Sequence, residues 1–505
     1  MTNDGGLAPV LMVVGTASSV GKSVMVAALC RVFRQDGVRV APFKAQNMSN
    51  NAAVTADGLE IGRAQAEQAA AAGLEPHVDM NPVLLKPQGD RTSQLVLRGR
   101  PKGILRSRDF VGRKRDLWPD AAEALDALRA RYDLVVAEGA GSPAEPNLRA
   151  GDITNMRVAR HAQAPTLLVG DIDRGGVFAH LLGTLELLPP EDRAMVRGFV
   201  INRFRGDPSL LGPAIDEIEE RTGVPVLGVI PWIDDIGVAE EDAVALERPE
   251  GGAGDDEAGE VDVAVVRLPR IANFDDFDPL VREPGVRVRW VRHADELGAP
   301  DLAVLPGTKA TVADLAWLRE QGLDRAVEDH AARGGAVLGI CGGFQMLGER
   351  LVDEEGVEAA RGTAVPGLGL LPVETRFVAE KTTRQASGEV RVAAGPWSGA
   401  AGLPVTGYEI HMGQHVGESG VAPLLTLDGR PDGAVSPDGR IAGTYLHGLL
   451  HNDEVRAALL RALGRHETGE SAMAFAERRE AAFDRLAAVV REHLDMARVN
   501  AFVGR

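Results

Sequence analysis

Short apolar runs recur along this chain, and each is bounded by Gly, Pro, Asn or Asp. Such runs are typical of strands that are buried on both faces of a parallel sheet. Patterns of helical period lie between them, so the sequence predicts an α/β architecture with parallel sheets. In the N-terminal half the predicted strands are residues 10–14, 134–137, 166–169, 198–201 and 226–230, and the predicted helices include 61–72 and 121–131.

The same alternation begins again after a polar, acidic segment of residues 247–260. The predicted strands of this second half are 261–266, 287–291, 302–305 and 336–340. We therefore predict two doubly wound parallel-sheet domains, residues 1–246 and 261–455, joined by a solvated linker. Residues 456–505 are predicted to form a helical extension that packs back on a domain, because apolar side chains recur on one face at Phe483, Leu486, Ala487, Val490 and Leu494.

Charge and composition limit the kinds of partner that this chain is expected to bind. Its 73 acidic residues exceed its 55 basic residues, which gives a net charge of -18 and argues against a nucleic-acid or anionic-membrane surface. We find no apolar run of about 18 residues and no basic segment before the first strand, so we expect a cytoplasmic protein. Two cysteines are too few for a disulfide framework or a zinc site of their own. Composition does not determine the number of subunits.

A candidate phosphate-binding loop follows the first predicted strand. The loop runs from Gly15 and Thr16 to Gly21, Lys22 and Ser23, and a predicted helix begins there. Glycine lets backbone N–H groups turn toward a phosphate, lysine reaches the terminal phosphates and serine can ligate Mg²⁺. Five residues separate the two glycines instead of the usual four, so a glycine-rich turn is the alternative. The order of strand, loop and helix favours the phosphate site.

Acidic and basic side chains at other strand ends extend this candidate site. Glu138 follows the strand 134–137 and precedes Gly-Ala-Gly, where a carboxylate can hold Mg²⁺ beside a ligand. Lys44 follows another apolar run, and Glu60 or, alternatively, Asp57 can supply a second oxygen to the metal. Taken singly, each acid is more typical of a solvated surface. The position at a strand end favours a metal role for Glu138.

Residues 9–235 resemble dethiobiotin synthetase and its relatives, which activate a carboxylate with ATP. The resemblance is carried by the segments GTASSVGKS, PFKAQN, VVAEGAG, GFVINRF and VLGVIPW. It implies that Asn202 lies near the adenine ring. It also implies that phosphates and metal are surrounded by Lys22, Lys44, Glu60 and Glu138.

A candidate nucleophile lies in the second half. The predicted strand 336–340 ends in Gly-Ile-Cys341-Gly342-Gly, followed by a helix, and this is the elbow that presents the nucleophile of serine hydrolases. The helix N-terminus favours a thiolate at Cys341. The other cysteine, Cys30, lies within an apolar helix face and fits a buried core position.

A thiolate nucleophile needs a proton donor and acceptor within hydrogen-bond reach. His447 follows a short predicted strand in Gly-Thr-Tyr-Leu-His-Gly and is our candidate, with His411 as the competitor. Gly307, in the turn Leu-Pro-Gly-Thr-Lys, and Gly342 can donate backbone N–H groups to an oxyanion.

Residues 260–450 resemble the class I glutamine amidotransferase domain, in which a cysteine releases ammonia from glutamine through a thioester. The resemblance implies catalytic roles for Cys341 and His447 and a glutamine-binding role for Gln345. That class carries a glutamate two residues after the histidine, but this chain has Leu449 there. Either another group orients His447 or the histidine acts unassisted.

The order of the two halves resembles the cobyric acid synthase family, and so do the segments KAQNMSNN, MNPVLLKP, GYEIHMG and GTYLHG. The resemblance implies ATP- and glutamine-dependent amidation of the b, d, e and g carboxylates of adenosylcobyrinic acid a,c-diamide, giving adenosylcobyric acid. ATP, Mg²⁺ and glutamine are the expected small molecules. Candidate corrinoid contacts are Asn47, Asn50, Asn51 and the basic residues within 106–115.

Three alternatives remain open from the sequence. The first is the sister family that makes cobyrinic acid a,c-diamide, which has the same domain order. The second is a P-loop ATPase switch of the partition or septum-positioning kind, although the acidic residues of the tail argue against a basic membrane helix. The third is a corrinoid-binding module with an inactive amidotransferase half, because the usual glutamate is missing.

Overall fold

The computed structural model describes residues 6–89, 91–106, 115–234, 236–237, 261–417, 421–465 and 474–505. It divides into two compact units. Unit 1 comprises residues 1–49, 60–241 and 476–505, and unit 2 comprises residues 50–59 and 242–475. The predicted linker 247–260 lies outside the described residues, as do most of the basic residues of the stretch 106–115.

The centre of unit 1 is a six-stranded, wholly parallel sheet. All five strands predicted for this half are present in it, so the predicted α/β class is confirmed. Four of its strands are buried along their whole length, because helices cover both faces of such a sheet, whereas the edge strand Val226–Pro231 is only partly buried. The strands, in spatial order, are Val226–Pro231, Val196–Phe204, Thr166–Asp171, Val10–Gly15, Leu134–Glu138 and Val40–Phe43.

A smaller four-stranded sheet and nine helices complete unit 1 among its described residues. The small sheet contains Gln46–Met48, Val83–Gly89, Thr92–Leu97 and Arg100–Arg106, and a further short strand is Glu60–Gly62. The α-helices are Lys22–Gln35, Arg63–Ala71, Trp118–Arg131, Met156–Ala162, Val177–Leu187, Pro190–Arg193, Gly212–Thr222, Phe475–His493 and Met496–Phe502.

The C-terminal helix Phe475–His493 belongs to the core of unit 1. Its apolar face, which includes Phe483, packs in the same cluster of buried side chains as Leu29 and Phe33 of the helix Lys22–Gln35. Arg31 of that helix pairs with Glu480 at 2.8 Å and with Asp484 at 2.7 Å. The last residues of the chain therefore complete the hydrophobic core of the N-terminal unit.

Unit 2 is built on a second six-stranded sheet with five parallel strands. In spatial order they are Val286–Val291, Val261–Val266, Leu302–Leu305, Ala336–Ile340 and Ile441–Thr444, and the antiparallel strand Ala434–Val435 closes one edge. All four strands predicted for this half are present. The α-helices of unit 2 are Asp278–Val281, Ala294–Leu297, Thr311–Glu320, Leu323–Ala332, Gly342–Leu347 and Asp453–Ala462.

Unit 2 also contains a mixed sheet that the sequence did not predict. Two long strands, Val373–Val390 and Pro404–Gly417, pair antiparallel within it. The other strands of this sheet are Thr363–Pro366, Arg350–Asp353, Leu425–Leu427 and Arg430–Asp432. The short strand Ala52–Val54 also belongs to unit 2.

The two units differ from the predicted domains in two places. The predicted extension 456–505 divides between them, because residues up to 475 belong to unit 2 and the following residues belong to unit 1. Residues 50–59, expected within the first domain, belong to unit 2. Among the described residues, no helix is both long and apolar enough to cross a membrane.

Replacing Phe483 by alanine should destabilise unit 1, because this ring is fully buried in its core. We expect a loss of about 3 to 5 kcal/mol in the free energy of unfolding, the usual cost of removing a buried aromatic ring. Amide hydrogen exchange followed by mass spectrometry would measure it separately in the two central sheets. Glu477→Ala, on the exposed side of the same helix, is the control. Equal exchange of the Val10–Gly15 strand in both variants would contradict this packing.

Candidate active site

Cys341 lies in a strained turn between the strand Ala336–Ile340 and the helix Gly342–Leu347. Its φ of 51° falls in the left-handed region that a residue with a side chain rarely adopts. The turn leaves no room around it: a methyl group at Gly343 would lie 1.8 Å from the carbonyl oxygen of Leu305. The predicted elbow is therefore present, and its glycine is required by close backbone packing.

His447 and Asp276 complete a buried group with Cys341. Nδ1 of His447 lies 2.7 Å from Oδ2 of Asp276, and the other oxygen of Asp276 accepts a hydrogen bond from the backbone N–H of Gly448 at 2.7 Å. The imidazole also shares a hydrogen bond with the thiol of Cys341. Asp276 thus occupies the orienting position that Leu449 cannot fill.

The positive charge of His447 and the negative charge of Asp276 stabilise each other. Burial disfavours the charged form of His447, but the negative charge of Asp276 and hydrogen bonds to Asp276 and Cys341 raise its pKa to about 10. Burial likewise opposes the charged form of Asp276, yet the positive charge of His447 lowers the pKa of that carboxyl. The histidine is therefore an imidazolium at neutral pH, paired with a carboxylate.

Two glycines predicted for an oxyanion site lie beside this group. A methyl group on Gly307 would lie 2.9 Å from Cε1 of His447 and 3.8 Å from Cβ of Cys341, and one on Gly342 would lie 3.1 Å from the backbone nitrogen of Thr308. The hydroxyl of Thr308 donates to the carbonyl of Arg270 at 3.0 Å and holds this turn in place. The structure therefore brings both glycines to the thiol.

Gln345 and His411 also lie near Cys341, where each has its own partners. The thiol of Cys341 donates to the carbonyl of Ile410 at 3.6 Å, while Oε1 of Gln345 accepts from the Thr311 hydroxyl at 2.9 Å. The ring nitrogens of His411 contact the carbonyl of Gly413 and the carboxylate of Glu409. Of the two candidate histidines, His447 is the one hydrogen-bonded to the thiol.

The phosphate-loop residues of unit 1 are held by hydrogen bonds across the loop. Nζ of Lys22 donates to the carbonyls of Ala17 at 2.8 Å and Gly141 at 3.1 Å. Asn202 donates to the carbonyl of Val20 at 2.8 Å, and a methyl group on Gly21 would lie 2.1 Å from its amide nitrogen. Gly15 and Thr16 stand at the end of the strand Val10–Gly15. The glycine loop and Asn202 are thus neighbours.

Glu138 is the centre of the polar group beside this loop. One carboxylate oxygen accepts from the hydroxyl of Ser23 at 2.8 Å and from Nζ of Lys44 at 2.9 Å. The other accepts from Nε2 of Gln68 at 2.6 Å. Three predicted residues, Ser23, Lys44 and Glu138, are therefore brought together, and Gln68 joins them.

The structure places Glu60 in a buried ion pair with Lys86, at 2.6 Å. Lys86 lies in the segment MNPVLLKP, where no role was predicted for it. Of the candidate corrinoid contacts, Asn47 donates to Gln65 at 3.0 Å and Asn51 accepts from the backbone of Asn273 at 2.7 Å. These two amides are therefore engaged within the protein.

The residues around Glu138 fit a nucleotide phosphate with Mg²⁺. Magnesium prefers hard oxygen ligands, and the Ser23 hydroxyl and the Glu138 carboxylate supply two at one point. The glycine loop has no room for a side chain at Gly21, and it leads directly into the N-terminus of the helix Lys22–Gln35. A helix N-terminus beside the buried ammonium of Lys22 is an environment that binds phosphate.

Both halves of the chain match known domain families. Residues 11–245 match the CobQ/CobB/MinD/ParA nucleotide binding domain, and residues 262–455 match the CobB/CobQ-like glutamine amidotransferase domain. Curated relatives named cobyric acid synthase match along nearly the whole chain. One from Chloroflexus aggregans is 57% identical over 90% of this chain and 92% of its own length, and one from Sorangium cellulosum is 52% identical over 98% of each.

The chain belongs to the cobyric acid synthase family. A relative from Roseiflexus castenholzii, 56% identical over 91% of this chain, carries the same name. The two-domain architecture predicted from the motifs is confirmed. These relatives are named neither as a,c-diamide synthases nor as P-loop switches, the two alternative families.

Sequence reasoning missed two side chains at the sites of this member of the cobyric acid synthase family. Asp276 is 171 positions from His447, within the run Asn-Phe-Asp-Asp-Phe-Asp after the strand Val261–Val266. That cluster of acids near a strand end was its only signal. Gln68 is 70 positions from Glu138 within an alanine-rich helix and gave no signal.

Replacing Asp276 by asparagine should destabilise the protein more at neutral pH than at pH 10. The folded pKa of His447, about 10, exceeds its ordinary value of 6.5, so its charged form stabilises the fold fully below pH 6.5 and this contribution is lost as the pH rises through 10. Breaking a buried pair costs about 3 to 5 kcal/mol. Urea unfolding should show that difference from the wild type at pH 7 and a smaller one at pH 10.

Asp295→Asn, on the surface of unit 2, is the matched control and should leave the unfolding curve unchanged. A destabilisation by Asp276→Asn that is the same at both pH values would contradict a charged His447.

Proposed function

We propose that this chain catalyses the ATP- and glutamine-dependent amidation of a cobyrinic acid derivative to cobyric acid, and the name of its relatives, cobyric acid synthase, supports that product. The observation that carries this proposal is the presence of two complete polar sites in one chain of that family. One is the Cys341, His447 and Asp276 group, and the other surrounds Ser23 and Glu138. The substrate is adenosylcobyrinic acid a,c-diamide, amidated at its b, d, e and g carboxylates.

Unit 2 supplies ammonia from glutamine. The sulfur of Cys341 attacks the side-chain carboxamide carbon as a thiolate, so a C–S bond forms and the C–N bond breaks. His447, protonated at neutral pH, donates its proton to the departing nitrogen, and ammonia leaves. The backbone N–H groups of Gly307 and Gly342 stabilise the oxyanion, and Gln345 lines the glutamine pocket.

The thioester is then hydrolysed. His447 accepts a proton from the attacking water, the C–S bond breaks, and glutamate leaves as the thiolate is restored. Asp276 fixes the ring so that one nitrogen faces the sulfur throughout. This arrangement favours an active amidotransferase half over an inactive one, because a carboxylate replaces the glutamate that position 449 lacks.

Unit 1 activates the corrinoid carboxylate. The carboxylate oxygen attacks the terminal phosphorus of ATP, ADP departs, and the acyl phosphate that results is attacked by ammonia, which displaces phosphate and leaves an amide. Lys22 and Lys44 stabilise the negative charge that develops on the transferred group. Ser23 and Glu138, with Glu60 as a further carboxylate, would hold Mg²⁺, which would neutralise phosphate charge. The base of the nucleotide is expected to bind beside Asn202, which contacts the loop at Val20 and Gly21.

Replacing Cys341 by serine should abolish glutamine-dependent amidation while amidation from free ammonia at high pH persists. A serine hydroxyl is a much weaker nucleophile at this position, but the synthetase reaction does not use the thiol. Mass spectrometry of the corrinoid after incubation with ATP, Mg²⁺ and either nitrogen source would measure both. Cys30→Ser is the control, since burial raises the pKa of that thiol and removes it from catalysis. Full glutaminase activity in the Cys341 variant would show the nucleophile to be wrong.

Replacing Lys22 by alanine should abolish amidation with both nitrogen sources, because the lysine stabilises the transferred phosphoryl group. We expect a loss of at least about a hundredfold in amidation rate. Glutamine hydrolysis measured on the same variant separates the two sites. Lys102→Ala, an exposed lysine of unit 1, serves as the control. Amidation retained with ammonia would refute the phosphate role of Lys22.

A further inference from the structure

Residues 50–59 belong to unit 2, although the residues on both sides of them belong to unit 1. In sequence, this segment is flanked by two candidate phosphate-site residues, Lys44 and Glu60. Its backbone is folded by local hydrogen bonds, for example from the N–H of Thr55 to the carbonyl of Leu59 at 2.8 Å. A short piece of the synthetase half of the chain is therefore built into the amidotransferase unit.

The segment is fixed at one end by reciprocal hydrogen bonds to Asn273. The side chain of Asn51 accepts from the backbone N–H of Asn273 at 2.7 Å, and the side chain of Asn273 accepts from the backbone N–H of Ala52 at 2.9 Å. Two residues after Ala52, the carbonyl of Val54 accepts a hydrogen bond from the side-chain amide of Gln385. Both bonds of Asn273 are buried, where a lost hydrogen bond costs most.

Asn273 occupies the centre of the loop that carries the amidotransferase site. Its φ of 53° is left-handed, a conformation that asparagine tolerates better than most residues. Its carbonyl accepts from the N–H of Asp276 at 3.1 Å, and the preceding residue, Ala272, donates to the carbonyl of Gly307 at 2.8 Å. Movement of Asn273 would therefore displace both the partner of His447 and the oxyanion turn.

We propose that Asn273 is a positioning residue for the amidotransferase site and that segment 50–59 sets its position. Both ends of the segment continue along the chain into unit 1. The inference rests on the proposed function, and it adds a positioning residue outside the Cys341, His447 and Asp276 group.

The test uses four variants of the full chain. Asn273→Gly keeps the left-handed backbone accessible but removes the acceptor for Ala52, whereas Asn273→Asp keeps the acceptor. Gln385→Ala removes the donor to the carbonyl of Val54 without changing residue 273. Ser387→Ala, on the same strand as Gln385, removes a hydroxyl that donates to Asp428 and is the control.

For each variant we would measure the rates of three reactions: glutamine hydrolysis, ammonia-dependent amidation, and alkylation of Cys341 by iodoacetamide at pH 7. The thermal unfolding temperature of each variant is measured beside them. We expect Asn273→Gly to lower kcat for glutamine hydrolysis about tenfold, because misplaced catalytic groups lose rate steeply. Its KM and its ammonia-dependent amidation should stay within about twofold. Asn273→Asp should restore most of kcat, Gln385→Ala should lower kcat severalfold, and Ser387→Ala should match the wild type.

Each other result overturns the proposal. If Asn273→Asp is as slow as Asn273→Gly, the hydrogen bond to Ala52 does not position the site. If Gln385→Ala behaves like Ser387→Ala, the segment does not set the position of Asn273. A lower unfolding temperature with unchanged kcat assigns Asn273 a purely structural role. Alkylation needs neither glutamine nor corrinoid, so a slower reaction of Cys341 in Asn273→Gly supports the positioning even where the proposed function itself fails.

Discussion

Parallel strands direct their carboxyl ends to one edge of a sheet, and both candidate sites depend on that constraint. In unit 1 the glycine loop follows the strand Val10–Gly15, and Glu138 ends the adjacent strand, so the Ser23 hydroxyl meets the carboxylate at 2.8 Å. In unit 2 the strands that precede Gly307, Cys341 and His447 are three consecutive neighbours. The pairing of the strands alone therefore brings distant segments of the sequence to the same edge of each sheet.

The buried charges of the two sites are each satisfied by a partner. An isolated buried charge is strongly unfavourable, whereas a paired and hydrogen-bonded one is tolerated. His447 and Asp276 form such a pair, and Glu138 accepts bonds from three side chains. Buried pairs of this kind fix one arrangement of the catalytic groups, because moving either partner leaves the other without compensation.

Most of the fold followed from hydrophobic patterning. Each apolar run predicted as a strand is a strand, and the apolar face of the tail packs in the core of unit 1 as its helical spacing indicated. The mixed sheet of unit 2 escaped prediction because its long strands, Val373–Val390 and Pro404–Gly417, contain many polar residues and are only partly buried. Strand signals weaken where one face is exposed and polar residues interrupt the alternation.

The sequence by itself determined the two motifs, Gly21-Lys22-Ser23 and Gly-Ile-Cys341-Gly, because their chemistry depends on residues that adjoin one another along a strand, a turn and a helix. Only the tertiary structure decided which acid orients His447, which side chain joins Lys44 at Glu138, and that residues 50–59 belong to the amidotransferase unit. Those contacts join residues 171 and 70 positions apart, and 222 positions apart for Asn51 and Asn273. No local pattern encodes them, since the packing of whole sheets and loops sets which distant side chains meet.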